Sequence, residues 1–128
     1  MFNNIEIARL LLRLSLGILI LFHGIHKVIH GVSGVKAMLS SSGLPDVLAY
    51  GVYVGELIAP IFIILGLYAR VASLVLAFNM LVAIFLAYGF SFSLAKYGGL
   101  SMESPLIFMI MSIVVALLGS GKYSVNNK

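Results

Sequence analysis

Apolar residues run through this chain in four long stretches, over 7–29, 47–68, 71–92 and 105–120, separated by short polar interruptions. A helix needs about 20 residues, rising 1.5 Å each, to cross roughly 30 Å of hydrocarbon, and the four stretches approach or reach that length. None alternates strictly with a period of two, and each is apolar on every side, so helices rather than barrel strands are predicted to satisfy the backbone inside lipid. The expected fold is all-α: a membrane-embedded antiparallel four-helix bundle forming one domain over residues 1–128.

The interruptions differ in kind. Residues 31–46 hold Gly31, Gly34, a serine run closed by Gly43, and Pro45, around a short amphipathic piece at 35–39 that suits the membrane interface. Residues 66–70 are so few that the flanking helices should form a tight antiparallel hairpin. The loop over 93–104 carries Lys96, Gly98, Gly99 and Glu103, and Ser104-Pro105 suits a helix start. Arg9 and Arg13 ahead of a short apolar core imitate a secretory signal, but His23, His26 and Lys27 follow in place of a cleavage site, so this segment reads as a span.

Composition agrees with the pattern. Hydrophobic residues make up 62% of the chain and charged residues 9%, and mean hydropathy is +1.16, far from the soluble norm. Four helices place both termini on one side with Arg9, Arg13, Arg70, Lys122 and Lys128, against Lys27, Lys36 and Lys96 on the other, which favours cytoplasmic termini in a multi-pass protein of the cell (inner) membrane. The net charge of +4 then points to anionic lipid rather than nucleic acid, because no basic stretch is interleaved with exposed stacking residues. The absence of cysteine removes thiol chemistry, iron–sulfur ligation and covalent haem attachment. No phosphate-cradling glycine motif is present either.

Ionisable groups at membrane depth cost several kilocalories unless they meet a partner or a wet cavity, so each is a candidate for function. His23, His26, Lys27 and His30 fall on one stripe near the end of the first helix. By rise per residue, His23 lies about 10 Å and Glu56 about 13 Å below the same surface. Glu103 enters from the outer end of the fourth helix, so His23, Lys27, Glu56 and Glu103 can converge. Glu56 also precedes Pro60 by four residues, the position whose carbonyl a helical proline leaves unpaired, so a kink or notch is expected there. The plainer alternatives are a buried Lys27–Glu56 pair that only sets register, an Arg13 reaching to the headgroups, an Asn79 joining helices and a Tyr53 in an aromatic belt. With all three histidines on one helix end and no metal-binding spacing, neither haem nor a metal site is expected.

In order and spacing, Arg9-Leu-Leu-Leu-Arg13, Phe22-His23-Gly24-Ile25-His26-Lys27, Gly55-Glu56-Leu57, Gly66-Leu67-Tyr68-Ala69-Arg70, Glu103 and the ending Gly119-Ser-Gly121-Lys122-Tyr123-Ser124-Val125-Asn126 resemble the DoxX family of small four-helix membrane proteins. The family's ending carries Leu and Asp where Val125 and Asn126 stand. The resemblance implies a protein linked to membrane redox complexes, including thiosulfate:quinone or quinol oxidase systems, and carries over Arg13, His23, Lys27, Glu56 and Glu103. The leading expectation is an accessory or quinone-interacting subunit: His23 or Lys27 bonds the quinone carbonyls, Glu56 and Glu103 move protons, and Arg13, His26, Tyr53 and Asn79 help to bind. Lacking its own redox centre, it would need a redox partner protein, alongside the lipid bilayer and further copies of itself. The competing readings are a small transporter or channel for protons or a small solute, and a non-catalytic assembly subunit.

Overall fold

A computed structural model describes residues 4–88, 99 and 102–126, and among them the regular elements are all helices, with no strand. Helix α1 runs Asn4–His30, α2 runs Ser33–Ser41 and α3 runs Asp46–Leu65. Helix α4 runs Ala69–Tyr88 and α5 runs Glu103–Leu118. The long helices lie within a few residues of the apolar stretches. The expected piece at 35–39 lies within α2, which extends it by two residues at each end. Residues 89–92, expected to end the third span, and Lys96, Tyr97, Gly98 and Lys128 lie outside the described residues.

Two helices, Asp46–Leu65 and Ala69–Ala87, are long and apolar enough to cross a membrane; α5 is a shorter apolar helix. Helix α1 has the length, but breaks its apolar run with Arg9, Arg13, Lys27 and three histidines.

Each long helix packs on two others: α1 on α3 and α5, and α4 on α3 and α5. The shared core is Leu16 and Ile20 from α1, Ala59 and Ile63 from α3, Ala69, Ala72, Leu76 and Met80 from α4, and Val115 from α5. Small residues in this set let the helices approach closely. A second cluster, Val32, Leu39 and Ala49 with Val35, Tyr53 and Leu86 around them, seats α2 on the start of α3 and the end of α4.

The α3–α4 hairpin is closed by Gly66, whose φ of 71° places it in the left-handed region open to glycine at little cost. It lets Leu67 N–H reach the Phe62 carbonyl at 2.9 Å, closing the helix end in a Schellman-type turn.

Helix α3 is not uniform. It opens as a 3₁₀ turn over Asp46–Tyr50, passes through Gly51–Tyr53, widens to a π turn over Val54–Ile58 and continues as an α-helix over Ala59–Leu65. Pro60 has no N–H to give to the Glu56 carbonyl, so an unbroken α ladder is impossible there, and the expected irregularity takes the form of the π turn.

Candidate functional site

Glu56 sits in that π turn, only 3% exposed. The Lys27 ammonium donates to both its carboxylate oxygens, at 2.7 and 2.8 Å. The amide of Asn79 on α4 donates to Oε2 at 3.3 Å. The carboxylate of α3 is thereby held from two other helices, α1 and α4. The Tyr53 hydroxyl donates to the Lys27 carbonyl at 3.1 Å, tying the end of α1 to the start of α3.

Two glycines make this approach feasible. A Cβ on Gly24 would stand 2.7 Å from the Glu56 carbonyl carbon and closer still to its oxygen. Helix α1 therefore crosses directly over the peptide group whose usual i+4 donor Pro60 removes. A Cβ on Gly55 would meet three Asn79 side-chain atoms at 2.6–2.7 Å, so glycine there makes room for the amide.

Beside this cluster lies a cavity of about 680 Å³, walled by α2, the first half of α3 and α4, with Lys27, Gly55, Glu56 and Asn79 in its lining. The remaining wall is apolar, including Val35, Met38, Leu39, Leu48, Val54, Val75, Phe78, Val82 and Leu86. The size and the few convergent polar groups are those of a small-molecule site. A smaller apolar groove of about 310 Å³ continues along the α3–α4 seam past Ile58, Phe62 and Ala72 to Tyr68, sharing Val54 and Val75 with the cavity.

The other sequence candidates lie elsewhere. At about 100° per residue, α1 buries Arg13, Leu16, Gly17, Ile20 and Gly24 on one arc. Lys27 falls inside that arc, His23 and His30 at its rim and His26 beyond it. His23 is exposed, its ring edge-on to Phe108 of α5 at 6.0 Å. His26 and His30 are exposed and stack on each other at 4.3 Å. Glu103 is exposed at the start of α5, with its carboxylate beside Gly99. So Lys27, Glu56 and Asn79 come together, with Tyr53 bracing them, while His23, His26 and Glu103 stay outside. Among the described residues no group of three or more metal-ligating side chains forms.

Arg13 belongs to the opposite end. It is 1% exposed and donates to the carbonyls of Ile63 at 3.1 Å and Ile64 at 3.3 Å, and to that of Tyr123. The tail folds back on the same corner: Val125 and Asn126 N–H donate to Leu65 and Gly66 carbonyls at 3.0 and 3.1 Å. The Asn126 side chain accepts from Tyr68 N–H at 2.9 Å, and Lys122 N–H donates to Glu6, which also pairs with Arg9. Sequence reasoning missed this latch. Its only trace was the glycine-rich ending, in which Gly119 (φ 80°) and Gly121 (φ 84°) pack beside Arg70 and against Glu6 and Arg9. An Asn in place of the usual Asp keeps the acceptor that Tyr68 needs.

Helices of this apolarity, gathered around a charge pair at the edge of an apolar cavity, define a small helical protein of the membrane-associated class. The chain belongs to the DoxX family, whose sequence model matches residues 8–89. It is similar to a Bacillus subtilis (strain 168) protein named "Putative oxidoreductase CatD", 32% identical over 118 residues that cover 92% of this chain and 84% of the relative. No solved structure matches significantly.

Proposed function

We propose that this chain is a multi-pass protein of the cell membrane, its four long helices forming an antiparallel bundle, and that it serves a membrane oxidoreductase system by binding an isoprenoid quinone. The membrane reading is supported by apolar side chains that face outward all round, such as Phe22, Phe78 and Leu117, for which lipid is the fitting solvent. Glu6 and Lys122 meet at one end, with Arg9, Arg13 and Arg70 nearby, and that basic end is the cytoplasmic one.

The observation that carries the quinone reading is the cavity with Lys27, Glu56 and Asn79 in its wall, continued by an apolar groove down the α3–α4 seam. A quinone ring needs flat apolar walls and donors for its carbonyls, and its prenyl tail needs an apolar track. Lys27 and Asn79 supply the donors. Glu56 can exchange the protons that must accompany electrons onto a quinone. The electrons come from a redox partner protein, the chain having no cysteine to relay them. A relative named as an oxidoreductase supports the redox assignment.

The test is equilibrium binding in lipid nanodiscs with a short naphthoquinone and its prenylated form. The prenylated form should bind more tightly, Glu56→Gln and Asn79→Leu should each weaken binding about tenfold, the equivalent of about 1.4 kcal/mol, and His23→Ala should leave it unchanged. Affinity indifferent to Glu56→Gln and Asn79→Leu would overturn the reading.

A further inference from the structure

We infer that the Lys27–Glu56 pair makes the cavity selective for uncharged ligands that carry a carbonyl or hydroxyl, and that it excludes anions and cations of the same shape. This deepens the reading of the cavity as a ligand site, but does not require the ligand to be a quinone.

The pair is closed on itself. Lys27 donates to both oxygens of Glu56, so the one cationic and the one anionic group that the described residues bring to the cavity wall cancel. What remains for a guest is a third ammonium hydrogen on Lys27, and the second amide hydrogen and carbonyl oxygen of Asn79. These suit one neutral acceptor or donor.

A charged guest meets a different balance. An anion that takes the third Lys27 hydrogen sits against the Glu56 carboxylate, one that draws Lys27 away leaves a carboxylate that is 3% exposed without its partner, and a cation does the same to Lys27. Among the described residues the rest of the wall is apolar, with no second ion to compensate either. An unpaired charge in such surroundings is expensive. The exposed part of the lining points the same way: Phe78 is 67%, Leu48 55% and Val54 47% exposed, so a guest arriving past them meets apolar side chains.

The discriminating experiment is equilibrium dialysis of the full chain in nanodiscs, corrected against empty discs, with two matched pairs of probes. The quinone pair is 2-methyl-1,4-naphthoquinone and 1,4-naphthoquinone-2-sulfonate; the other is 2-naphthol and naphthalene-2-sulfonate. The wild-type protein should prefer the neutral member of each pair it binds by at least about tenfold. Glu56→Gln leaves the Lys27 cation uncompensated and should move the ratio toward the sulfonates by about tenfold or more, and Lys27→Gln should move it the other way.

If the naphthol pair is discriminated and neither quinone binds, the quinone reading falls and this inference stands. Equal or tighter binding of the sulfonates to the wild-type protein, no binding of any probe, or a folded Glu56→Gln protein with an unchanged ratio each overturns it. The wild-type comparison decides the matter even where a variant does not fold.

Discussion

Gly24→Ala adds one methyl group at the place where α1 crosses α3, and the structure fixes what that methyl meets. It would lie 2.7 Å from the Glu56 carbonyl carbon, closer still to the oxygen, and 2.9 Å from a Leu57 methyl, where ordinary contact begins at 3.4 Å. The first two obstacles are backbone atoms, which cannot rotate aside, so the helices must part locally. Overpacking of this kind costs typically 1–3 kcal/mol and here belongs at the upper end, about 3 kcal/mol. For a chain of this size that lowers the melting temperature by roughly 10 °C. The parting also pulls Lys27, one turn on, away from Glu56, so naphthoquinone affinity should fall with stability. The assay is thermal unfolding by circular dichroism in detergent together with nanodisc binding. Gly34→Ala is the control: its Cβ meets nothing within 4 Å, and within α2 the change should be neutral or stabilising by up to about 1 kcal/mol. A Gly24→Ala protein that melts with the wild type and binds equally well would refute the close crossing.

Lys27→Met strands a buried carboxylate and should cost about 3–5 kcal/mol in a melt, whereas Lys27→Met/Glu56→Leu should recover most of the loss; a double variant no more stable than the single one would contradict a buried pair. Arg13→Gln removes donors from three carbonyls at the α3 end and tail, and should raise proteolysis within residues 119–126 at a cost of about 2–3 kcal/mol; an equally resistant tail would count against the latch. Asn126→Asp should be tolerated and Asn126→Leu should lower the melting temperature, because Tyr68 N–H needs an acceptor at that position. Lys36 donates to the Tyr50 hydroxyl at 2.7 Å, and that bond raises the lysine pKa above its ordinary value of 10.5. A raised folded value means that the contact is fully present at neutral pH and is lost only as pH climbs through the raised value. A spin label on α2 should therefore stay ordered from pH 6 to pH 9 and loosen in Lys36→Met at pH 7.

The parts of the fold that depend on rise along a helix could be read from the residues, and those that depend on rotation about it could not. Counting residues put Lys27 one turn above the level of Glu56, within reach of a long side chain, and the two do pair. The same counting put His23 level with Glu56 as well, yet a stripe of four positions spans more arc than one neighbouring helix covers. Which of its members turns inward is settled by Leu16, Ile20 and Gly24, the buried residues on the same helix. Glu103, expected to join from the outer end of the last helix, stands exposed at the first turn of α5 instead. The latch at the other end was hidden because backbone carbonyls, not side chains, are what Arg13 recognises, and carbonyls leave no mark in a sequence.

Pro60 ties these observations together. By withholding an N–H it denies the Glu56 carbonyl its usual i+4 donor, and the π turn at that level, in which Glu56 is buried, widens α3. A widened turn needs a neighbour with no side chain, and Gly24 is that neighbour. One turn beyond Gly24 the chain places Lys27, whose ammonium then meets the carboxylate that the same π turn has buried. Pro60, Glu56, Gly24 and Lys27 are therefore one device spread over two helices, and its parts should fail together. Replacing Pro60 by Ala restores the missing donor and favours an ordinary α turn, which would rotate Glu56 relative to Lys27. The expected result is a protein no less helical by circular dichroism, but with weakened naphthoquinone binding. Full binding by Pro60→Ala would mean that the carboxylate is held by its partners alone, with no contribution from the irregular turn.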